Sequence, residues 1–280
     1  MSDIETRVSS NRLHGLWALT NRDLKKWYQN PVVFVMGIIQ PILWLTLLGK
    51  AMNIGSIIPN IPGVNPALVM QNTFGTSDYF SYMAMGMVAF TTVFTSAFVG
   101  ISVVIDKRLG FMSKVLSTPV SRSVIILSKV LSASIRSMFQ AGIVTALAYL
   151  IGLQLGANFT VFSVFGVFAL VFLISFGLSS MFTAITLRTT RMETPQAIIQ
   201  LVTLPLMFAS SAYFPISQMP SWLQVIASAN PISYAIDGVR RLMIFSDGYS
   251  QLPLDFAFVG IFAVVVTAIC IVLSWRYLNK

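Results

Sequence analysis

Residue types that catalyse reactions or bind metals are scarce in this sequence. Its 280 residues include one histidine, His14, one cysteine, Cys270, and nine Asp or Glu. A histidine-based metal site, a catalytic triad and an intrachain disulfide are therefore excluded for this chain, and His14 is expected to have a plain interfacial role. The sequence also lacks a GxxxxGK[ST] phosphate loop and a GxSxG motif, so neither ATP binding by the chain itself nor an intramembrane hydrolase is supported.

The composition predicts an integral membrane protein. Hydrophobic residues make up 56% of the chain and charged residues 10%, which leaves too few polar groups to cover a soluble globule. The net charge is +9, but the basic residues lie scattered between apolar stretches, which argues against a nucleic-acid partner. No apolar stretch carries an acidic residue near its centre, so a proton relay or an ion-coupling carboxylate is not expected.

The segment Asp106–Lys129, which reads DKRLGFMSKVLSTPVSRSVIILSK, is a basic loop between two long apolar stretches. Its apolar residues recur at helical spacing on one side of a predicted short helix, namely Leu109, Met112, Val115 and Leu116. Its basic residues face elsewhere, namely Lys107, Arg108 and Lys114. Thr118 and Pro119 are expected to begin the next helix. A short amphipathic helix between two breaks is typical of a loop that another protein holds.

Hydropathy predicts an all-α protein with six transmembrane helices behind an amphipathic interfacial helix. The interfacial helix is predicted at 11–29, and the spans at 31–49, 80–105, 134–153, 161–187, 195–213 and 256–275. Pro41 is expected to kink the first span. Residues 50–79 are expected to form a loop with little regular structure. The third span is the apolar half of a long helix, on whose polar half Arg122, Lys129 and Arg136 are expected to meet the cytosol, headgroups or a partner.

Residues 214–255 are predicted to form a helical loop on the extracellular side. Two apolar pieces, 222–229 and 232–245, are each too short to cross a bilayer and are separated by Asn230 and Pro231. They indicate a re-entrant or interfacial helix pair before the last span. Arg240 and Arg241 follow Asp237 by three and four residues, so structural pairing with this acid is expected.

The distribution of charge predicts that both termini lie in the cytoplasm. All but three of the 18 Lys and Arg fall on the side that carries the termini, the loop 106–129 and the turn 188–191. Cytoplasmic segments of membrane proteins carry this excess of positive charge. The three exceptions are Lys50, Arg240 and Arg241.

Three motifs in order resemble a known family. The amphipathic N-terminal helix, DKRLGFMSKVLSTPVSR, and FPISQMPSWLQVIASANPISYAIDGVRRL together resemble the permease subunit of an ATP-binding-cassette type-two exporter. The match is closest to the daunorubicin-resistance-like permeases, although Met85–Gly86 stands where such permeases often have Pro–Gly. The resemblance implies one permease domain over residues 1–280, in the plasma membrane of a prokaryote.

The resemblance also implies partners and sites. Two permease chains, identical or related, would pair with two separate ATPase subunits that bind ATP and Mg, while this chain would contact lipids and carry neither a cofactor nor a catalytic site. The coupling contact would comprise Asp106, Lys107, Arg108, Leu109, Gly110, Phe111, Met112, Lys114, Val115 and Leu116, with Arg188, Arg191 and Glu193 as a second contact. The substrate path would lie between the two permease chains, with Phe90, Phe94, Phe208 and Tyr213 as candidates that could equally be ordinary packing aromatics.

These expectations favour one function and leave two alternatives open. The favoured function is ATP-driven export of hydrophobic or amphiphilic molecules, drug-like or lipid-like. Export of a lipid-linked polysaccharide would use the same architecture with a different cargo. An ATP-independent channel or a membrane scaffold is the alternative of another class, and a dispensable central loop would favour it.

Overall fold

The computed structural model describes residues 2–50, 65–118, 120–189 and 193–277, and within these ranges the chain is helical and contains no β-strand. The helices are α1 (Ser2–Tyr28), α2 (Pro31–Trp44), α3 (Pro66–Phe74), α4 (Tyr79–Arg108), α5 (Phe111–Leu116), α6 (Arg122–Ile151), α7 (Val161–Thr186), α8 (Glu193–Phe208), α9 (Ser221–Ala229), α10 (Pro231–Met243) and α11 (Leu252–Tyr277). A π-helical turn, Leu45–Lys50, continues α2, and two short 3₁₀ turns lie at Ile216–Gln218 and Tyr249–Gln251.

Four of these helices are long and apolar enough to cross a membrane. They are α4, α6, α7 and α11, and they contain the predicted spans 80–105, 134–153, 161–187 and 256–275 almost entirely. The predicted spans 31–49 and 195–213 correspond to shorter apolar helices, Phe34–Leu47 and Pro195–Phe208. The all-helical membrane class is therefore confirmed, and the count of six spans and the side of the termini stay predictions.

Helix α4 is the centre of the molecule. It packs against α6, α7, α8 and α10, and most of its residues are buried. Small residues allow these close approaches, since a Cβ on Gly100 would lie 2.9 Å from the Phe182 carbonyl oxygen of α7. Ser175 of α7 lies with its hydroxyl 2.9 Å from that of Ser137 on α6 and 3.3 Å from that of Ser96 on α4. Helices α4, α6 and α7 are thus joined by packing and by hydroxyl contacts.

A proline sets the contact between α2 and α6. Pro41 has no N–H, so it cannot donate to the carbonyl of Gly37 four residues earlier. The Gln140 side chain of α6 donates to that carbonyl instead, with 3.2 Å between Nε2 and O. A Cβ on Gly37 would lie 2.6 Å from the same Nε2 atom, so a larger residue would displace the Gln140 amide from this hydrogen bond. The freed backbone group is thereby satisfied inside the protein, as the apolar core of a bilayer requires.

Two boundaries differ from the sequence predictions. Part of the loop predicted at 50–79 is helical, because α3 places Phe74 against the rings of Tyr79 and Tyr82, with centroids 5.4 and 5.1 Å away. Residues 51–64 of that loop lie outside the described residues. Helix α6 begins at Arg122 behind Ser121, not at the predicted Thr118–Pro119 start; Pro119 itself is outside the described residues.

Candidate functional sites

A buried ion cluster joins the three helices α1, α4 and α6. Asp106, in the last turn of α4, is 1% exposed, and its Oδ2 lies 2.6 Å from Nζ of Lys129 on α6. Its other oxygen, Oδ1, lies 3.1 Å from Nζ of Lys26 and 3.3 Å from Nη2 of Arg22, both on α1. Lys129 also lies 3.5 Å from a carboxylate oxygen of Asp23. We call these five residues the ion cluster.

The seven-residue spacing of Arg122, Lys129 and Arg136 predicted that Lys129 would meet the cytosol, headgroups or a partner. In the structure it is buried instead. Its side chain is 4% exposed and bonds both acids of the ion cluster and the Ser102 hydroxyl. The prediction failed because helical spacing shows only which residues share a face, while the neighbour of that face is set by tertiary packing. Here the neighbours are α1 and α4.

The predicted helix over 106–116 is two elements. Helix α4 continues through Arg108, and the chain then turns at Gly110, whose φ of 69° favours glycine, before α5 begins at Phe111. Leu109 therefore lies at the break and does not share the apolar side of α5. Met112 and Val115 do share that side, and they pack in a small core with Val103 and Ile125, and with other residues of α1 and α5.

The predicted coupling residues divide into an inner and an outer set. Asp106, Met112 and Val115 are buried, and the partly buried Lys107 donates to the Leu187 carbonyl at the end of α7. Phe111, Gly110 and Leu116 are partly buried, with the Arg22 guanidinium 3.2 Å above the Phe111 ring. The exposed ones are Arg108, Leu109, Lys114, Arg188 and Glu193. Leu109 is 73% exposed, and Arg191 lies outside the described residues.

The other end of the membrane-length helices holds a fully buried arginine. Arg240 of α10 donates from Nε to the Tyr82 carbonyl at 3.0 Å, from Nη1 to the Ser211 carbonyl at 2.7 Å and from Nη2 to the Ala212 carbonyl at 2.8 Å. Its guanidinium also lies 3.4 Å above the Tyr82 ring. Ser211 and Ala212 belong to the irregular segment after α8. Arg240 thus satisfies two carbonyls of irregular backbone and connects that segment to α4 at Tyr82.

Asn230 supports the same irregular segment. Its amide nitrogen donates to the carbonyls of Leu206 and Ala209, at 2.7 and 2.6 Å, and its amide oxygen accepts from the Ile232 backbone N–H at 3.0 Å. One side chain therefore caps the end of α8 and the start of α10. The expected helix pair interrupted at Asn230–Pro231 is present as α9 and α10, and neither is long enough to span.

The two arginines of α10 use different acids. Arg240 lies 3.7 Å from Asp237, as expected, but Arg241 pairs with Asp255 of α11 and donates to Gln251. The pairing predicted between Arg241 and Asp237 is therefore absent, because Arg241 faces the first turn of α11. Burial raises the pKa of Asp237, although Arg240 and a hydrogen bond from Ser211 counteract it.

Gly86 is the residue that allows Arg240 to reach its carbonyls. A Cβ at this position of α4 would lie 2.7 Å from Arg240 Nη2 and 2.8 Å from the Ala212 carbonyl oxygen. We expect Gly86→Ala to destabilise the fold by about 1–3 kcal/mol, the usual cost of overpacking. The measurement is the thermal unfolding midpoint of the purified chain in detergent. Gly260→Ala is the matched control, since a Cβ on Gly260 of α11 meets nothing within 4 Å and should leave the midpoint unchanged or slightly raised.

The four aromatic residues predicted for a substrate path form one continuous row. Phe94 and Tyr213 each lie edge-on to Phe90, with ring centroids 5.5 and 5.7 Å away, and Phe208 stacks on Tyr213 at 6.3 Å. Phe208 is 65% exposed and Phe90 is 1% exposed, so the row runs from the surface into the core. The second and fifth predicted spans do supply neighbouring aromatics, and their role in transport stays a prediction.

Several residues of these sites had no clear signal in the sequence. Arg22 and Asp23 are adjacent charged residues of the N-terminal helix, and Gln140 is one of several polar residues in the predicted span 134–153. The Ser77–Asp78 pair before α4 did carry a signal, since Asp78 accepts from the backbone N–H groups of Phe80 and Ser81 as an N-cap.

Four helices of membrane length indicate a multi-pass membrane protein. Residues 14–244 match the family model of the ABC-2 type transporter, so the chain belongs to that family and is a membrane subunit of an ABC transporter, not its ATPase. The chain is 33% identical to the ycf38 transport permease of Porphyra purpurea over 82% of this chain and 74% of the relative.

Other relatives carry names from drug resistance. A doxorubicin resistance ABC transporter permease of Mycobacterium tuberculosis is 26% identical over 79% of this chain and 74% of its own length. A daunorubicin resistance ABC transporter permease of Streptomyces coeruleorubidus is 24% identical over 64% of this chain and 62% of its own length. The family expected from the three sequence motifs is thereby confirmed.

Proposed function

We propose that this chain is the transport subunit of an exporter that separate ATPase subunits drive, and that it moves hydrophobic or amphiphilic molecules outward. Two copies of the chain would pair with two ATPase subunits, with both termini in the cytoplasm. Family membership and the drug-resistance names of two relatives support the proposal. Since the sequence has no phosphate loop of its own, energy has to come through a protein contact.

The observation that carries the proposal is the exposed tip beside the ion cluster. Leu109 is 73% exposed, and Arg108 and Lys114 flank it with exposed positive charge. We call these three residues the tip. An exposed leucine ringed by charged side chains is suited to insertion into an apolar pocket of a partner with an acidic rim.

The ion cluster supplies a physical route from the tip to the membrane. Asp106, two residues before the tip, holds α4 to α1 and α6 through Arg22, Lys26 and Lys129. A push on the tip would therefore move the ends of three helices together. Helix α4 would carry that motion over the 24 residues from Asp106 to Tyr82, about 36 Å, to the Arg240 site near its other end.

The aromatic row favours the proposed cargo class. Its four rings are uncharged, and they lead from the exposed Phe208 to the buried Phe90. Rings of this kind bind apolar and planar bodies by stacking and burial. A cargo with an extended apolar part would be matched by this lining.

We expect Leu109→Ala to weaken ATPase binding about tenfold, a typical loss when a central interface residue is truncated. The measurement is co-purification of the tagged chain from its native membranes in mild detergent, with the ATPase subunit quantified per permease chain. Leu150→Ala is the matched control, because Leu150 is 80% exposed at the opposite end of α6. Equal ATPase recovery with both variants and with the unchanged chain would contradict docking through the tip.

A further inference from the structure

An apolar groove lies between α2, α4 and α6. Its volume is about 310 Å³, at the lower end of the range of roughly 300–1,000 Å³ typical of small-molecule sites. Val32, Met36 and Phe98 line it and are each more than 60% exposed, so the groove opens sideways onto the surface that would face lipid. Phe90 and Phe94 of the aromatic row form part of its inner wall.

The groove is elongated along the membrane-length helices. On α4 it extends from Met87 to Phe98, eleven residues that correspond to about 16 Å of helix. Trp27, from the end of α1, and Trp44, from the end of α2, both line it. A groove of this length and apolar lining fits an extended hydrocarbon chain better than a compact solute.

One charged side chain, Arg136 of α6, lines the groove. It makes two hydrogen bonds, from Nε to the Ser132 carbonyl at 3.1 Å and from Nη2 to the Ser132 hydroxyl at 3.3 Å. A guanidinium has five N–H donors, so three are left without a protein partner in the part of the chain that the structure describes. No carboxylate of these residues forms an ion pair with it; Asp23, which acts on it electrostatically, is paired with Arg22 and Lys129.

Three other polar side chains of the groove have hydrogen-bond partners within the protein. Gln140 donates to the Gly37 carbonyl and accepts from the Thr95 hydroxyl, and the Thr91 hydroxyl donates to the Val88 carbonyl. Arg136 carries the groove's positive charge and three N–H donors without a protein partner, whereas Gln40, which also lines the groove, is exposed and uncharged. An unpaired charge at this depth is costly unless a partner from the membrane neutralises it.

The depth of Arg136 matches a lipid headgroup. It lies 15 residues before Ile151, the last residue of α6, which is about 22 Å of the roughly 30 Å hydrocarbon core. Its guanidinium bends further toward the start of α6, where Ser132 lies. The charge is thus close to the headgroup boundary on the side of α1, while the apolar groove extends from it into the bilayer.

We propose that this groove binds an anionic phospholipid of the leaflet next to α1, with the phosphate on Arg136 and one acyl chain along Phe94 and Phe98 toward Trp44. Arginine and phosphate form strong, charge-assisted hydrogen bonds. The apolar wall then covers the chain, and the sideways opening allows exchange with the bilayer. The groove shares Phe90 and Phe94 with the aromatic row, and lipid binding in it requires no ATPase.

The test uses quenching of tryptophan fluorescence by lipids with brominated acyl chains. In a background where the exposed Trp17, Trp222 and Trp275 are replaced by Phe, emission comes from Trp27 and Trp44, which both line the groove. The purified chain is titrated in detergent with brominated phosphatidylglycerol and, separately, with phosphatidylcholine bearing the same chains. We expect half-maximal quenching at a several-fold lower mole fraction of phosphatidylglycerol.

Variants locate the preference. With Arg136→Gln, half-maximal quenching should need the same mole fraction of either lipid. With Arg136→Lys, a reduced preference for phosphatidylglycerol should remain, because lysine retains the charge but not the planar guanidinium. Arg122→Gln removes a positive charge from the same helix outside the groove. This control should show the same preference for phosphatidylglycerol as the parent chain, which retains only Trp27 and Trp44. Equal quenching by both lipids in the parent, or a preference that survives Arg136→Gln, would overturn the proposal.

Discussion

Asp106→Asn is expected to lower the thermal unfolding midpoint of the purified chain by about 10 °C. The Asp106 carboxylate is 1% exposed and neutralises Lys129, which is 4% exposed. Removing one member of a buried ion pair typically costs about 3–5 kcal/mol. Lys129 would keep only its longer, 3.5 Å contact with Asp23, so its buried charge would be poorly compensated. The measurement is the midpoint in detergent, followed by the fraction of monodisperse chain after heating.

Two comparisons make this prediction specific. Glu193→Gln removes an exposed acid at the start of α8 and should leave the midpoint unchanged. Adding Lys129→Met to Asp106→Asn should recover part of the loss, since the poorly compensated lysine is then removed from the interior. A double variant no more stable than Asp106→Asn alone would mean that the ion cluster does not hold the three helices as described.

Arg240→Gln is expected to be equally damaging at the opposite end of the helices. Arg240 is fully buried, and its three hydrogen bonds satisfy carbonyl oxygens on α4 and on the segment after α8. Truncation would remove all three hydrogen bonds and take the nearest cation from Asp237, while the Ser211 carbonyl would keep only the Tyr82 hydroxyl, at a cost of about 3–5 kcal/mol. The expected result is a midpoint lowered by about 10 °C and faster proteolysis near residues 209–213.

Arg240→Lys separates charge from geometry. An ammonium group keeps the positive charge but cannot reach three carbonyls on two elements, so we expect little recovery over Arg240→Gln. Arg188→Gln, at an exposed arginine, is the control and should keep the midpoint of the unchanged chain. Full stability of Arg240→Lys would show that the charge alone, and not the fork, holds the segment after α8.

Sequence patterns predicted what depends on local chemistry. Long apolar stretches predicted α4, α6, α7 and α11, and the Asn230–Pro231 pair predicted the break between α9 and α10. Both signals act over a few neighbouring residues, through hydropathy, caps and the missing N–H of proline. The three ordered motifs were sufficient for the family because they record an arrangement over most of the chain.

The partners of buried charges could not be predicted in this way. Lys129 and Asp106 are 23 residues apart in sequence, and Arg240 is 158 residues from Tyr82, so no helical period connects them. Arg240 was expected to pair with an acid, yet its main partners are backbone carbonyls. Every residue has a carbonyl, so the sequence does not show which of them accept from Arg240. The role of Gly86 follows from that contact and became visible only with it.

The measurement that tests the central claim most directly is photo-crosslinking in native membranes. A photoreactive amino acid replaces Leu109 in one sample and Leu150 in another, and the crosslinked products are identified by mass spectrometry. The account predicts a crosslink to an ABC ATPase subunit from position 109 and none from position 150. Insertion and function of the chain with no ATPase crosslinked at position 109 would contradict docking at the tip and would favour a channel or scaffold.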